Sequence, residues 1–381
     1  MNNPKKIAIL AAYPVHLLPG YEDRKPRGHF ATWLPQLCEN FEAYAGLDIH
    51  WVVMTPELTS EKVISHRGQS FHLLPRSRHG ISIITFFLRD RFLIGRVLKA
   101  LSPDLVHAWG TEDVYGAAQA DWPGVSVISM QGMLWHYWTI SKESRYMFFT
   151  SRLEKWVLKR SHNVTSESPW GRDRVLELNP QADVRLVEYG VPSDFFPHKR
   201  KLCPEPHFIY VGSVDYRKGA DILLQAFSDP RLENVKLTIL GGGPLAGELE
   251  SLGNVEFLGR VPKEKVAELY SVSWALIHPT RADTSPNSVK EARISGVAII
   301  TTECGGQAQY IEEGKSGLIF DVNQPEELIG HILALAGDRD RCQEMGIYNI
   351  ETYREALAAS LTAEKFHALY LELLGTGKNS Y

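Results

Sequence analysis

The chain has few cysteines and no long apolar segment, and these two absences exclude several classes of protein. Four cysteines occur in 381 residues, and they are widely separated at positions 38, 203, 304 and 342. No CxxC pair is present, so the sequence indicates neither a zinc site nor a disulfide framework. No stretch approaches the ~20 consecutive apolar residues of a membrane-spanning helix. We expect reduced thiols and a cytoplasmic location, with the inner face of the membrane as the alternative.

An excess of charge of one sign is also lacking. The 41 Lys and Arg residues are balanced by 45 Asp and Glu residues, which gives a formal net charge of −4. A protein that coats nucleic acid usually shows strong net basicity, so we expect no nucleic-acid partner. Hydrophobic residues make up 44% and charged residues 23% of the chain, as in ordinary globular proteins. The length predicts two to three domains.

Short apolar runs alternate with longer amphipathic segments along the chain, which is typical of α/β proteins. This alternation stops between Gly190 and Pro206, where four prolines and a basic cluster occur, and then resumes. We predict two doubly wound domains, residues 1–195 and 206–350. The helical tail, residues 351–381, would pack on either domain or bridge back to the first. Ligands of such sheets bind outside the carboxyl ends of the strands, so a cleft between the domains is the expected site.

The segment VGSVDYRKG, residues 211–219, follows a predicted strand and precedes a predicted helix. Gly212 and Gly219 allow a close approach of the backbone. Arg217 and Lys218 place two cations beside the helix N-terminus, a combination that suits a phosphate group. A solvated basic turn would show the same pattern, so this segment alone does not decide between the two interpretations.

A second glycine-rich segment, ILGGGPLAGELE, follows the next strand of the C-terminal half. Gly241, Gly243 and Ala246 formally match the GxGxxG/A fingerprint of dinucleotide-binding proteins. In that class the fingerprint belongs to the first strand of its sheet, which is not its place here. A tight turn with Pro244 at the helix start is therefore the favoured interpretation, with an NAD-dependent dehydrogenase as the alternative.

The third segment, residues 278–306, contains two carboxylates on either side of a predicted helix start. Asp283 lies in a polar loop, and Glu291 lies about one turn into the helix. Carboxylates accept strong hydrogen bonds from sugar hydroxyls. The helix start carries the backbone N–H groups of Asn287, Ser288 and Val289. Such groups suit a diphosphate. The alternative is that Asp283 caps the loop and Glu291 pairs with a surface lysine.

The order of these segments resembles the nucleotide-binding half of the retaining glycosyltransferases of family 4. The matching stretches are VGSVDYRKGADILLQAF, LGGGP and DTSPNSVKEARISGVA. Weaker matches in the N-terminal half, PDLVHAWG and YGVPSDFF, extend the resemblance over nearly the whole chain. The resemblance implies an α/β fold of the GT-B class, with two Rossmann-like domains facing a central cleft.

The resemblance also implies a role for each matched residue. Lys218 and Arg217 would hold the diphosphate, Asp283 would contact the donor sugar, and Glu291 would bind the ribose hydroxyls. These four are the catalytic candidates. The further donor-binding candidates are Gly28, Gly212, Ser213, Gly243, Val261, Asn287, Ser288 and Val289. Of these, Val261 would lie by the nucleobase, and Gly28 would bring the N-terminal backbone close to the phosphates.

Two departures from the family pattern bear on activity. Ser213 stands where relatives have an arginine, and Arg217 can replace its charge. Gln131 stands where many relatives have a histidine, and glutamine cannot act as an acid or base. The candidate sugar or acceptor contacts are therefore His107, Gln131 and His136. A degenerate sugar-nucleotide-binding protein and a GT-B sugar-nucleotide epimerase stay as alternatives.

The resemblance implies transfer of a hexose-type sugar from a nucleotide-diphosphate donor to an acceptor hydroxyl with retention, in bacterial polysaccharide or glycoconjugate synthesis. A UDP-sugar is the first expectation and a GDP-sugar the second. The expected partners are this donor and a saccharide or lipid-linked saccharide acceptor. No metal-binding DxD motif stands out, so we expect no metal and no cofactor. The aromatic and basic segment from residue 133 to 160 predicts either a solvated amphipathic helix or a peripheral membrane contact.

Overall fold

The computed structural model describes residues 3–23, 33–77, 85–142, 145–192 and 200–375, together with Ser82 and Phe195. It divides the chain into two compact units. One comprises the chain up to Tyr189 together with the part from Ala359, and the other comprises Gly190–Ala358. Each unit is built around a sheet of its own.

Eight described strands form the sheet of the first unit, in the order β3-β4-β2-β1-β5-β6-β7-β8. They are β1 Lys5–Leu10, β2 Leu47–Thr55, β3 Lys62–His66, β4 Gln69–Pro75, β5 Leu105–Trp109, β6 Ser126–Ser129, β7 Asn163–Ser166 and β8 Asp183–Leu186. All neighbouring strands are parallel except β3 and β4, which form an antiparallel hairpin.

Six described strands form the sheet of the second unit, in the order β11-β10-β9-β12-β13-β14, and all are parallel. They are β9 His207–Val211, β10 Lys236–Leu240, β11 Val255–Gly259, β12 Ala275–His278, β13 Ala298–Thr302 and β14 Gly317–Phe320. The central strands are continuous buried runs because a parallel sheet is covered on both faces.

The α-helices of the described residues connect and cover these strands. They are α1 Trp33–Asn40, α2 Leu88–Leu101, α3 Val114–Ala120, α4 Leu134–Ile140, α5 Arg145–Leu158, α6 Pro169–Leu178, α7 Ala220–Phe227, α8 Ala246–Glu250, α9 Lys263–Val272, α10 Asn287–Ile294, α11 Pro325–Ala336, α12 Arg339–Tyr353 and α13 Ala359–Leu373. Local chemistry sets several helix starts. For example, the Ser168 hydroxyl accepts a hydrogen bond from the Gly171 N–H at 3.2 Å, with Pro169 at the first helical position. None of the described helices is long and apolar enough to cross a bilayer.

The structure corrects the expected end of the first domain and the expected tail. Val191 and Phe195 pack in the core of the second unit, so the first unit ends at Tyr189 and not at residue 195. The tail expected over residues 351–381 is instead the end of α12 and a separate helix, α13, which packs in the core of the first unit. The break falls at residues 354–358 because α12 buries Met345 in the second core, whereas α13 buries Phe366 in the first.

Candidate active site

The predicted phosphate-binding segment and the predicted carboxylate loop leave adjacent strands of the second sheet. Strands β9 and β12 are hydrogen-bonded neighbours, and the strand order reverses between them. In doubly wound sheets such a switch point, at the carboxyl ends of the strands, is where ligands bind. Residues 212–219 follow β9 and residues 279–286 follow β12, so the topology brings the two segments to one place.

Glycine permits these two loops to pack directly on each other. Gly219 has a φ of +74°, and a side-chain carbon at this position would overlap the carbonyl oxygen of Pro279. Gly305 has a φ of +83°, and a side-chain carbon there would lie 2.6 Å from the carbonyl oxygen of Asp283. The Asp283 carbonyl accepts a hydrogen bond from the Gly306 N–H at 2.8 Å. The loop that carries Asp283 is therefore held on both sides by close backbone contact.

Arg281 ties the two loops together. Its guanidinium donates to Asp221 through two bonds of 2.7 Å and to the carbonyl of Tyr216 at 2.6 Å, and it lies 3.7 Å from the centre of the Tyr216 ring. Its backbone N–H donates to the carbonyl of Arg217 at 2.8 Å. Arg217 in turn donates to the carbonyl of Ala282 at 3.0 Å. These bonds fix the position of the turn that presents Lys218.

Lys218 and Asp283 form a direct ion pair at the meeting point of the loops. Their side chains are only 13% and 14% exposed. Burial lowers the pKa of Lys218, while the charge of Asp283 acts in the opposite direction. For Asp283 burial raises the pKa, but the charges of Lys218 and Arg217 outweigh it and hold the pKa low, at about 2. Asp283 is thus ionised near neutral pH and can accept hydrogen bonds from ligand hydroxyls.

His278, the last residue of β12, lies beneath this pair with 1% exposure. Within the part of the chain that the structure describes, neither ring nitrogen has a hydrogen-bond partner. Burial and the neighbouring charge of Lys218 lower its pKa to about 3, so the ring is neutral. A neutral imidazole here leaves the positive charge of the site on Lys218 and Arg217.

Glu291 lies on α10, as predicted, and is partly exposed. Among the described residues its carboxylate has no hydrogen bond and no ion pair, so it does not pair with a surface lysine. Burial raises its pKa to about 7, and only the charge of Lys290 opposes this. A carboxylate in such surroundings lacks donors that ligand hydroxyls can supply.

The start of α10 has the geometry expected for an anion site, with one change. The helix begins at Asn287, and the first N–H groups of a helix have no carbonyl partner within it. The N–H of Val289 is already bonded to the carbonyl of Pro286 at 3.1 Å. Asn287 and Ser288 are therefore the better donors for a ligand, and Val289 contributes a buried side chain to the core.

Packing accounts for the glycine-rich segment after β10. Gly241 has a φ of +142°, and a side-chain carbon at this position would overlap the carbonyl oxygen of Gly212. A side-chain carbon on Gly243 would overlap the carbonyl oxygen of Val214. The fingerprint glycines thus bring the turns after β9 and β10 together, and no dinucleotide is needed to explain them. The Ser213 carbonyl accepts the Tyr210 hydroxyl at 2.5 Å. Val261 follows β11 and packs partly buried against the core. The ligand contacts of Gly212, Ser213, Gly243 and Val261 stay predictions.

The structure corrects the role of His107. This residue is fully buried on β5, where one ring nitrogen contacts the Tyr370 hydroxyl and the other the Ser129 hydroxyl, both at 2.6 Å. Phe366 and Trp109 cover the ring. Burial lowers its pKa to about 3. His107 is therefore a core residue and not a ligand contact.

The other candidates in the first unit are placed but not tested. Gln131 is partly exposed just beyond β6, at the carboxyl edge of the sheet. His136 lies on α4 with its ring edge-on to Trp170, and burial lowers its pKa. Gly28 lies outside the described residues. Among the described residues, no group of three His, Cys, Asp or Glu side chains is arranged to hold a metal.

Sequence reasoning misses two residues of this site. Arg281 and His278 lie in the segment that carries Asp283, but neither is among the candidates. The available signal for Arg281 is that it is a cation two residues before Asp283 in the polar loop after a predicted strand. No signal in the sequence distinguishes a buried, unpaired His278 from a solvated one.

Two family models match consecutive parts of the chain. "Glycosyltransferase Family 4" matches residues 31–195, and "Glycosyl transferases group 1" matches residues 194–352. The chain belongs to glycosyltransferase family 4. The resemblance that the motifs carry is thereby confirmed.

Curated relatives of this family 4 member are similar over part of their length. The D-rhamnosyltransferase WbpZ of Pseudomonas aeruginosa is 30% identical over 192 residues, which cover 46% of this chain and 50% of that protein. A GDP-mannose-dependent α-mannosyltransferase of Corynebacterium glutamicum is 32% identical over 271 residues, which cover 65% of this chain and 63% of that protein. For the first of these, the matched region spans about half the length of the relative.

Solved structures confirm the fold of this family 4 member. Sucrose-phosphate synthase from Thermosynechococcus elongatus has a TM-score of 0.80 and 18% identity, with coverage of 98% of this chain and all of that one. Anabaena HepE, solved in complex with UDP-glucose, has a TM-score of 0.70 and 13% identity, with coverage of 96% of this chain and 99% of that one. The GT-B class implied by the sequence is correct, and it is built from two parallel-sheet units.

Proposed function

We propose that this chain transfers a hexose-type sugar from a nucleotide-diphosphate donor to an acceptor hydroxyl, with retention at the anomeric carbon. The observation that carries the proposal is the Lys218–Asp283 pair at the switch point of the second sheet, in the unit whose helix α10 carries Glu291. Lys218 and the start of α10 suit the diphosphate of such a donor. The carboxylate of Asp283 suits the hydroxyls of its sugar, and that of Glu291 suits the ribose hydroxyls.

The ion pair suggests how donor binding and catalysis are connected. A diphosphate that enters the site competes with Asp283 for the ammonium of Lys218. Once Lys218 turns to the phosphates, the Asp283 carboxylate is free to accept hydrogen bonds from hydroxyls of the donor sugar. The same cation then stabilises the negative charge that develops on the leaving diphosphate as the bond to the anomeric carbon breaks. A preorganised group of this kind contributes about 3–4 kcal/mol to the transition state.

The identity of the donor nucleotide is part of the proposal. A UDP-sugar is the first expectation from the family resemblance, and HepE, with the same fold, was solved with UDP-glucose. The Corynebacterium glutamicum relative, at higher identity, is named for its dependence on GDP-mannose. A panel of UDP-, GDP- and ADP-sugars in a thermal-shift assay separates these donors without knowledge of the acceptor. A rise in melting temperature with one nucleotide class supports the proposal, and no rise with any of them contradicts it.

Product analysis tests the reaction itself. With the donor known, NMR of the glycoside formed on a saccharide or lipid-linked saccharide acceptor reports the anomeric configuration, and an inverted product contradicts the retaining assignment. We further propose that neither metal nor cofactor is required, because the cations of the site occupy the place of a metal. Activity that disappears with a chelator and returns with Mn²⁺ contradicts this. A binding protein without activity would instead show a rise in melting temperature with the donor, but neither hydrolysis of the donor nor an epimerised sugar.

A further inference from the structure

Two neighbouring helices of the first unit expose cations and large apolar side chains but no carboxylate. Residues 88–101 and 145–160 together contain nine Lys and Arg residues and two acids, Asp90 and Glu154. Both acids are fully buried. Asp90 accepts bonds from Ser77, and Glu154 accepts bonds from Thr111 and from the Trp135 N–H. The outward charge of α2 and α5 is therefore strongly positive on a chain whose net charge is −4.

The two helices belong to one surface. Both pack on α3, and the guanidinium of Arg91 on α2 lies 5.1 Å from the ring of Trp156 on α5. Asp121, after α3, pairs with Arg91, and Glu61 pairs with Arg96 at the edge of the surface. These two carboxylates neutralise only part of the nine cations. We call the exposed side of α2 and α5 the basic-aromatic face.

Apolar side chains project from this face to an unusual extent. Leu88 and Phe92, one turn apart on α2, are 66% and 69% exposed, and Phe86 just before the helix is 40% exposed. On α5, Tyr146 and Phe149 are 44% and 39% exposed. A groove beside α2 has Leu88, Phe92, Trp122 and Pro123 among its lining residues. Leaving such groups in water costs free energy that insertion into hydrocarbon would recover.

We propose that the basic-aromatic face docks on a membrane surface that carries anionic lipid headgroups. Cations that surround exposed Leu and Phe side chains are the composition of an interfacial membrane-binding surface. Two such faces repel each other, which disfavours a symmetric contact with a second copy of the chain. A nucleic acid would satisfy the cations but offers no hydrocarbon for Leu88 and Phe92. The proposal does not depend on which donor the second unit binds.

Flotation of the full-length protein with lipid vesicles tests the proposal. We expect flotation with phosphatidylcholine vesicles that contain phosphatidylglycerol, weaker flotation at high salt and none with phosphatidylcholine alone. The double variant Leu88→Ser/Phe92→Ser should lower the partition constant at least ten-fold. The matched control is Ile347→Ser, which removes a 55% exposed apolar side chain from α12 in the second unit and should change nothing. Lys99→Gln should lower partition about five-fold, and Lys236→Gln, exposed on the second unit, should not.

Each outcome of this experiment is decisive. Helical circular dichroism shows whether each variant folds. The thermal shift with nucleotide shows whether the second unit still binds its donor, so loss of membrane binding is distinguishable from loss of the proposed function. No flotation with anionic vesicles at low salt overturns the proposal, as does an equal loss in the Ile347→Ser control. A dimer that dissociates in the double variant would assign the face to a second copy. Tight binding of single-stranded RNA without vesicle binding would assign it to nucleic acid.

Discussion

The ammonium of Lys218 and the carboxylate of Asp283 are in direct contact, although 65 residues separate them in the sequence. Each comes from a loop that follows one of two adjacent strands, and Arg281 bonds the second loop to the first. Burial of the pair means that loss of one partner leaves the other as an unpaired charge. Substitution of either residue of this ion pair therefore tests the role of the site.

Replacement of Lys218 should nearly abolish turnover. Lys218→Ala removes the cation that would stabilise the leaving diphosphate, and we expect kcat to fall about 100- to 1,000-fold. Lys218→Arg keeps the charge with a different reach and should retain intermediate activity. The comparison is Lys236→Ala, an exposed lysine in the same unit. Near-normal turnover of Lys218→Ala would remove this residue from the mechanism.

The strands and the site segments of the second unit are largely predictable because each depends on local pattern. Buried parallel strands such as β12 and β14 are short, mostly apolar runs, which the alternation of apolar and amphipathic segments predicts. The phosphate-binding turn and the carboxylate loop each follow such a strand. Adjacent parallel strands bring their carboxyl ends together, so the convergence of Lys218 and Asp283 follows from topology once the sheet order is known.

The features that escape prediction depend on contacts between distant parts of the chain. The hairpin β3–β4 turns at Arg67 and Gly68, with φ values of +52° and +70°. An arginine rarely adopts this conformation, so the sequence gives no turn signal; in the structure Arg67 pairs with Glu42 at 2.7 Å. The break between α12 and α13 arises because the two helices serve different cores. His107 looks like a ligand in sequence, and only burial by α13 shows that it is not.

Donor affinity should depend on pH through Glu291. Burial raises the pKa of this carboxyl to about 7, above its ordinary value of 4.5, so between these values the folded chain holds a proton that the unfolded chain releases. The contribution of Glu291 to stability is therefore present at low pH and lost as the pH rises toward 7. Ribose hydroxyls donate to the ionised form, so donor affinity should rise through the same pH range with release of a proton.

Calorimetric titrations in buffers of different ionisation enthalpy check this proton release. In Glu291→Gln the affinity should be weaker, and its pH dependence in this range should be lost. Glu250→Gln, which alters an exposed carboxylate on α8, serves as the control. An unchanged pH profile in Glu291→Gln would exclude Glu291 as the titrating group.

Arg281 should act as a positioning residue for Lys218 and Arg217. Arg281→Ala removes two bonds to Asp221 and one to the Tyr216 carbonyl, so the turn before α7 loses its fixed position. We expect a higher KM for the donor and a ten-fold or larger loss of kcat/KM. Arg281→Lys should not restore activity, because an ammonium cannot make the bidentate contact. Arg231→Ala, which breaks a comparable exposed pair with Glu326, should leave kinetics unchanged. A loss confined to thermal stability would assign Arg281 a structural role only.

Gly219 should tolerate no side chain. Its φ of +74° is unfavourable for other residues, and a side-chain carbon would overlap the Pro279 carbonyl, which belongs to backbone that cannot move aside. Gly219→Ala should lower the free energy of unfolding by about 1–3 kcal/mol and separate the Lys218 turn from the Asp283 loop. Gly247→Ala is the control, because Gly247 lies in α8 with open space around it and the substitution should be neutral or stabilising. Equal melting temperatures and equal donor binding in both variants would show that the close contact of the two loops is not required for the site.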